Sequence, residues 1–327
     1  MDTVHTVLGP VPVEKLGRTL VHEHLYIHFA GAELDPLAEP FDRPAFIREA
    51  VRRLRELRDL GVCTFVDPCP IELGRDVTMM AEVSEKSGMH IVCTTGFYHE
   101  ALGLPAYWRS RSAEDIAAFY VHELQKGIGN TGIRPGAIKC GSGKPAITEL
   151  ERKFLAAASM AQLATGVPII THTEHTCGPE QQAIFRDNGV PLQRCLIGHC
   201  CGNADPEYHH AVAEGGSYIG FDRVGALHHQ PDEVRADNIV RLVRDGFGAR
   251  VLLSQDRYCY LRGRMNVELS ADQLAKIERM RTQGKWPPPY THLFKRFLPL
   301  LKERGLSDAE IWPMLDRNPI EFFRGSA

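Results

Sequence analysis

The sequence predicts an α/β fold: a (β/α)8 TIM barrel filling residues 1–327 as a single domain, with a metal centre at the C-terminal ends of its strands. Three observations predict it. Short apolar runs alternate with amphipathic stretches along most of the chain, glycines punctuate the joints, and His, Lys or Asp stands at the ends of several apolar runs. An open doubly wound sheet is the competing fold, but no glycine-rich phosphate turn follows any early strand.

The elements come in order. Gly9–Val13 reads as a turn or short hairpin before Thr19–Leu25, a strand on which His22 and His24 would project from one face. Gly31–Pro44 reads as a loop. Ile47, Val51, Leu54 and Leu57 at helical spacing predict a helix over Ala45–Leu60, ended by Gly61. Val62–Asp67 then has the apolar run of a buried parallel strand. Helix–strand pairs follow at 78–86 and 91–95, 113–128 and 136–140, 148–165 and 167–172, 181–188 and 195–199, 206–214 and 217–222, and 233–246 and 250–256. With the opening strand this makes eight strands. Tyr258–Pro289, with Arg262, Arg264, Lys276, Arg279, Arg281, Lys285 and the run Pro287–Pro289, reads as a long substrate-facing loop 8 holding a short helix. A helix at 292–304 and the 308–323 segment would complete the outer ring.

Composition narrows function. The chain is 43% hydrophobic and 24% charged with a formal net charge of −3, which gives no global electrostatic case for nucleic acid or an anionic membrane. No basic-then-apolar leader and no membrane-length apolar run is present, so a cytoplasmic protein is expected. The nine cysteines form no regular framework, so free, mostly buried thiols are expected, and Cys200-Cys201 lacks zinc-knuckle spacing. His209-His210 reads by default as a surface pair.

His22, His24, Lys139, His172, His199 and Asp256 fall at or just past predicted strand ends, which in a barrel open onto one face. Each has a plain alternative, since a strand-end His is often a core residue and an Asp after a strand is often a helix cap. Together they suit two divalent cations, with zinc expected and iron, cobalt or manganese as alternatives. Lys139 fits if neighbouring cations favour its neutral amine, which adds CO₂ and becomes a bridging carboxylated lysine.

With these residues in place the chain resembles the phosphotriesterase-like lactonases of the amidohydrolase superfamily. The resemblance runs through Gly9-Pro10, Leu20-Val21-His22-Glu23-His24, Asp67-Pro68, Thr95-Gly96-Phe97-Tyr98, Ile138-Lys139-Cys140, Thr171-His172-Thr173, Ile197-Gly198-His199-Cys200, Phe221-Asp222-Arg223, Leu253-Ser254-Gln255-Asp256 and Asn318-Pro319-x-x-Phe322-Phe323. It implies that His22, His24 and Asp256 hold a buried metal and His172 and His199 an exposed one, bridged by carboxylated Lys139 and a hydroxide. It further implies that this hydroxide attacks a lactone carbonyl, that Asp256 carries the proton to the leaving alkoxide, and that Tyr98 and Arg223 line the substrate site. A homodimer and promiscuous organophosphate triesterase activity are also implied. Plainer readings make Tyr98 a core aromatic and Arg223 an ion-pair partner of Asp222. The alternatives for function are a hydrolase acting mainly on a phosphotriester, another ester or an N-acyl amide, and a catalytically silent barrel. Two departures bear on specificity, namely Gln255 where many relatives have His and the long basic loop 8. His228-His229 is either a further substrate-facing pair or a solvated one.

Overall fold

The structure, a computed structural model, describes residues 3–263, 270–283 and 289–324. An N-terminal hairpin joins β1 (Thr3–Thr6) to β2 (Gly9–Pro12). Next come β3 (Arg18–Leu20), β4 (His24–His28), α1 (Arg43–Asp59), β5 (Val62–Asp67), α2 (Val77–Ser87) and β6 (His90–Gly96). The short α3 (Ala106–Arg109) precedes α4 (Ala113–Lys126) and β7 (Ala137–Gly141). Then follow α5 (Glu149–Thr165), β8 (Ile169–His172), α6 (Gly178–Asp187), β9 (Cys195–Ile197), α7 (Pro206–Glu214), β10 (Tyr218–Phe221), α8 (Asp232–Arg244) and β11 (Val251–Leu253). Past the last barrel strand lie β12 (Tyr258–Arg262), α9 (Ala271–Thr282), α10 (Leu298–Glu303), α11 (Asp308–Ile311) and α12 (Arg317–Arg324).

Among the described residues eight strands pair in parallel in the order β3-β5-β6-β7-β8-β9-β10-β11, as a (β/α)8 barrel requires. The seam between β11 and β3 is crossed beyond their ends, where Asp256 N donates to His22 O at 2.9 Å and His22 N donates to Ser254 Oγ at 3.0 Å. Local chemistry sets the elements. Asp42, Asp76 and Ser112 cap α1, α2 and α4, and Thr148 with Glu151 forms a capping box on α5. Two cores result. One packs the barrel wall against the helices. The other fills the barrel's lower interior, where Val66, Val92, Ile170, Leu196 and Leu252 meet Val4, Val13 and Leu16 from the N-terminus and Phe322 and Phe323 from α12.

Three expectations are corrected. Thr19–Leu25 is not one strand: β3 stops at Leu20, the chain bends through Val21–Glu23, and β4 starts at His24. The bend is held by the buried Glu23 carboxylate, which accepts from the backbone N–H of Gln255 and Arg257 and from Ser254 Oγ. Loop 8 is more structured than a loop with a short helix. Its β12 pairs in parallel with β4, Tyr258 opposite His24 and Leu261 opposite Ile27, and α9 runs twelve residues. Arg264, Lys285, Pro287 and Pro288 lie outside the described residues. His209 is buried, with Nε2 2.9 Å from Cys200 O, because it faces inward from α7 onto Phe221. All nine cysteines are free and seven are buried, as expected. No helix among the described residues is long and apolar enough to cross a membrane.

Candidate active site

All six candidate ligands reach the C-terminal end of the barrel. His22 lies just beyond β3, His24 opens β4, Lys139 sits within β7, His172 ends β8, and His199 and Asp256 follow β9 and β11. His199 and Asp256 have φ of 61° and 52°, left-handed backbone that non-glycine residues rarely adopt and that clusters at functional sites. Gly96 makes room beside Lys139, since a Cβ there would meet Lys139 O at 1.9 Å.

Three imidazoles face one carboxylate. His24 Nε2 and His22 Nε2 lie 3.2 and 3.6 Å from Asp256 Oδ1, and His199 Nε2 lies 3.7 Å from Asp256 Oδ2. The His172 ring completes the group, 4.5 Å from the His199 ring. The His22 and His24 rings cross at 77° with centroids 5.4 Å apart, so they converge through the bend rather than by strand alternation.

Each imidazole has a carboxylate partner, which stands behind the ring for His22, His24 and His199 and in the cavity wall for His172. Asp222 reaches His22 Nδ1 at 2.9 Å and His199 Nδ1 at 3.1 Å, Asp67 reaches His24 Nδ1 at 3.0 Å, and Glu174 reaches His172 Nε2 at 2.8 Å. Such partners fix the tautomer and leave the opposite ring nitrogen for a cation. The sequence does not single out Glu174 or the orienting role of Asp222. No residue spacing marks such a pairing, although an acidic residue at a strand end is a weak hint.

Burial sets the protonation states. It lowers His22 to about 4, helped by the charge of Lys139, and holds His172 and His199 well below the ordinary range. His24 is the exception. Burial pushes it down, but hydrogen bonds to Asp256 and then Asp67 outweigh that and hold it well above its usual value. A cation binding there therefore displaces a proton. Burial also raises the Asp256 carboxyl, yet the nearby His199 and the Arg223 guanidinium bring it well below its usual value.

Lys139 is 1% exposed and no carboxylate lies within ion-pair distance of it among the described residues. Its Nζ sits 3.5 Å from Thr171 O, and burial brings its pKa down to about 8. A buried ammonium without a counter-ion is costly. Imidazole nitrogens, a carboxylate and an amine that sheds its proton readily fit borderline divalent cations.

These residues floor a cavity of about 160 Å³. Ile27, Phe29, Leu73, Leu102, Leu261 and Ile277 form its apolar wall, and Tyr98, Arg223, His228 and His229 stand on its polar side. The Tyr98 hydroxyl lies 3.1 Å from His172 Nδ1. Arg223 pairs with Asp256 Oδ2 at 2.8 Å rather than with Asp222. His228 and His229 face the cavity instead of forming a solvated pair.

Comparison with known proteins agrees with this arrangement. The model of the phosphotriesterase family matches residues 2–323. The chain is 32% identical to an aryldialkylphosphatase of Saccharolobus solfataricus, over 94% of this chain and 95% of that one. It is also 32% identical to a phospho-furanose lactonase of Mycoplasmopsis synoviae, over 96% and 89%. The solved organophosphorus hydrolase of Deinococcus radiodurans superposes with a TM-score of 0.90 at 35% identity, covering 98% of this chain and 97% of that one.

Proposed function

On the premise that this chain belongs to the phosphotriesterase family of metal-dependent hydrolases, we propose that it opens small lactones at a binuclear metal centre. In this reading His22, His24 and Asp256 would hold one cation and His172 and His199 the other, and carboxylated Lys139 would be a further ligand. Zinc is the first choice by ligand type, with iron, cobalt and manganese as alternatives. Such a pair supplies Lewis acidity toward a carbonyl oxygen and lowers the pKa of water toward neutrality.

The chain's own residues do the rest. Asp256, ionised against Arg223, accepts the proton of the attacking water and returns it to the leaving alkoxide. Tyr98, whose hydroxyl stands beside His172, positions the ring at its carbonyl end. Arg223 holds Asp256 in place, and the apolar wall excludes water behind the ring.

The observation that carries the reading is the cavity itself. At about 160 Å³ it is smaller than the roughly 300–1,000 Å³ of drug-sized sites, and its apolar wall faces the ligand cluster directly. That shape favours a compact ring with a short substituent over a three-armed phosphotriester, which we assign at most a promiscuous role. A cytoplasmic homodimer, each chain one barrel, completes the proposal.

The test is a panel of γ- and δ-lactones, N-acyl-homoserine lactones, N-acyl amino acids and paraoxon assayed with metal-replete protein. Lactones should lead it, and Lys139→Ala and Asp256→Ala should each remove most of that activity. Near-normal turnover in either variant would sink the assignment.

A further inference from the structure

The three orienting carboxylates are not equivalent. Asp67 and Asp222 are fully buried, whereas the Glu174 side chain is 19% exposed and forms part of the cavity wall. Glu174 also uses only one of its oxygens. Oε1 lies 2.8 Å from His172 Nε2 and 3.9 Å from His99 Nε2, the latter beyond hydrogen-bond range. Oε2 has no hydrogen-bond partner among the described residues. A carboxylate oxygen is an acceptor only, so this free oxygen asks for a donor.

Resting on the lactone reading, we propose that Glu174 is a specificity residue that accepts a hydrogen bond from a neutral N–H or O–H on the lactone, close to the scissile carbonyl. Its place beside His172 sets where that donor sits, because in the proposed reading His172 would hold one of the two cations that supply Lewis acidity toward the carbonyl. The same oxygen repels a substituent bearing phosphate or carboxylate at that position. An α-hydroxy or α-acylamino lactone satisfies both conditions, and an unsubstituted ring leaves the oxygen unmatched. Glu174 thus does two things: Oε1 holds the His172 ring, and Oε2 reads the substrate. His99, 3% exposed and stacked 5.0 Å from His172 at 16°, backs the same ring from behind.

The experiment compares γ-butyrolactone, α-hydroxy-γ-butyrolactone and N-acetylhomoserine lactone in metal-replete wild type, Glu174→Ala and Glu174→Asp, with bound metal measured in each. A hydrogen bond to a charged acceptor should make wild type prefer the donor-bearing lactones by roughly 10- to 100-fold in kcat/KM. In Glu174→Ala that ratio should collapse toward one, chiefly through a higher KM for the donor-bearing lactones, while any cost of a misplaced His172 falls on all three lactones alike. Glu174→Asp should recover part of the ratio. As a readout without turnover, 2-acetamidocyclopentanone should inhibit wild type more tightly than cyclopentanone, and Glu174→Ala should erase the difference.

A wild-type ratio near one overturns the proposal, as does an equal loss on all three lactones with the ratio intact. Failure of metal-replete wild type to open any lactone refutes the underlying lactone reading instead, which is a distinguishable result.

Discussion

At the scale of single residues, Lys139 is the one whose chemistry has to change if the proposed centre is correct. Only the neutral amine adds CO₂. Free lysine, with a pKa near 10.4, is neutral in about 0.04% of molecules at pH 7. At a pKa of about 8, Lys139 is neutral in about a tenth of them, a gain of some two orders of magnitude. Burial is the main cause of this, before any cation arrives. The sign follows, since the neutral fraction falls about tenfold for each pH unit below 8. Apoprotein reconstituted with metal should therefore recover faster at pH 8 than at pH 6.5, and bicarbonate should accelerate recovery at fixed pH; recovery rates indifferent to both would rule out a carboxylated Lys139. The six candidate ligands could be picked out in the sequence because a barrel gathers its strand ends onto one face, so position along the chain stands for position in space. Asp222 and Glu174 could not, because a carboxylate behind a histidine is defined by a ring nitrogen's direction, which no spacing encodes.

At the scale of elements, Gln255 ties the strand-end cluster to the segment that follows loop 8. Its Nε2 donates to Tyr290 O at 2.6 Å, its Oε1 accepts from Leu293 N at 3.0 Å, and Tyr290 in turn donates its hydroxyl to His24 O. Gln255 is fully buried and is not part of the cavity wall, so its departure from His concerns anchoring rather than acyl preference. Gln255→Ala leaves a buried carbonyl and a buried N–H unpaired, at about 1–3 kcal/mol each. We expect stability to fall by about 2–5 kcal/mol in denaturant unfolding, with the ranking of lactones unchanged; a reordered ranking at full stability would put Gln255 in the substrate site. The β4–β12 pairing explains why the start of loop 8 escaped sequence reading. The run at 258–262 is aromatic and mixed in polarity, and its partner is a strand 234 residues earlier, Tyr258 opposite His24. The repeating helices and strands of the wall were legible because each carries its own period and cap, as Thr148 and Glu151 do for α5.

At the scale of the whole molecule, the barrel separates chemistry from stability along its axis. The lower interior is apolar and closed by Phe322 and Phe323, while the upper end gathers imidazoles, carboxylates and a lysine that lack full compensation without cations. Metal should therefore stabilise the upper end strongly. Each cation at a thousand times its Kd adds about 4 kcal/mol. An unfolding entropy of about 2.1 cal/mol/K per residue gives about 0.7 kcal/mol/K for this length, so stripping two cations should lower Tm by on the order of 10 °C. Phe322→Ala, which opens a cavity at the opposite end, should cost about 3–5 kcal/mol whether or not metal is present, because distant sites add. Asp222→Asn should behave differently: it misaligns both His22 and its neighbour His199, weakening metal binding about 10- to 100-fold, so its Tm should lie well below wild type with metal and approach wild type without it. Calorimetry of the three proteins with and without chelator checks this. A chelator effect that is absent in wild type, or equal in wild type and Asp222→Asn, would mean that the upper cluster does not hold metal through the ligands assigned to it.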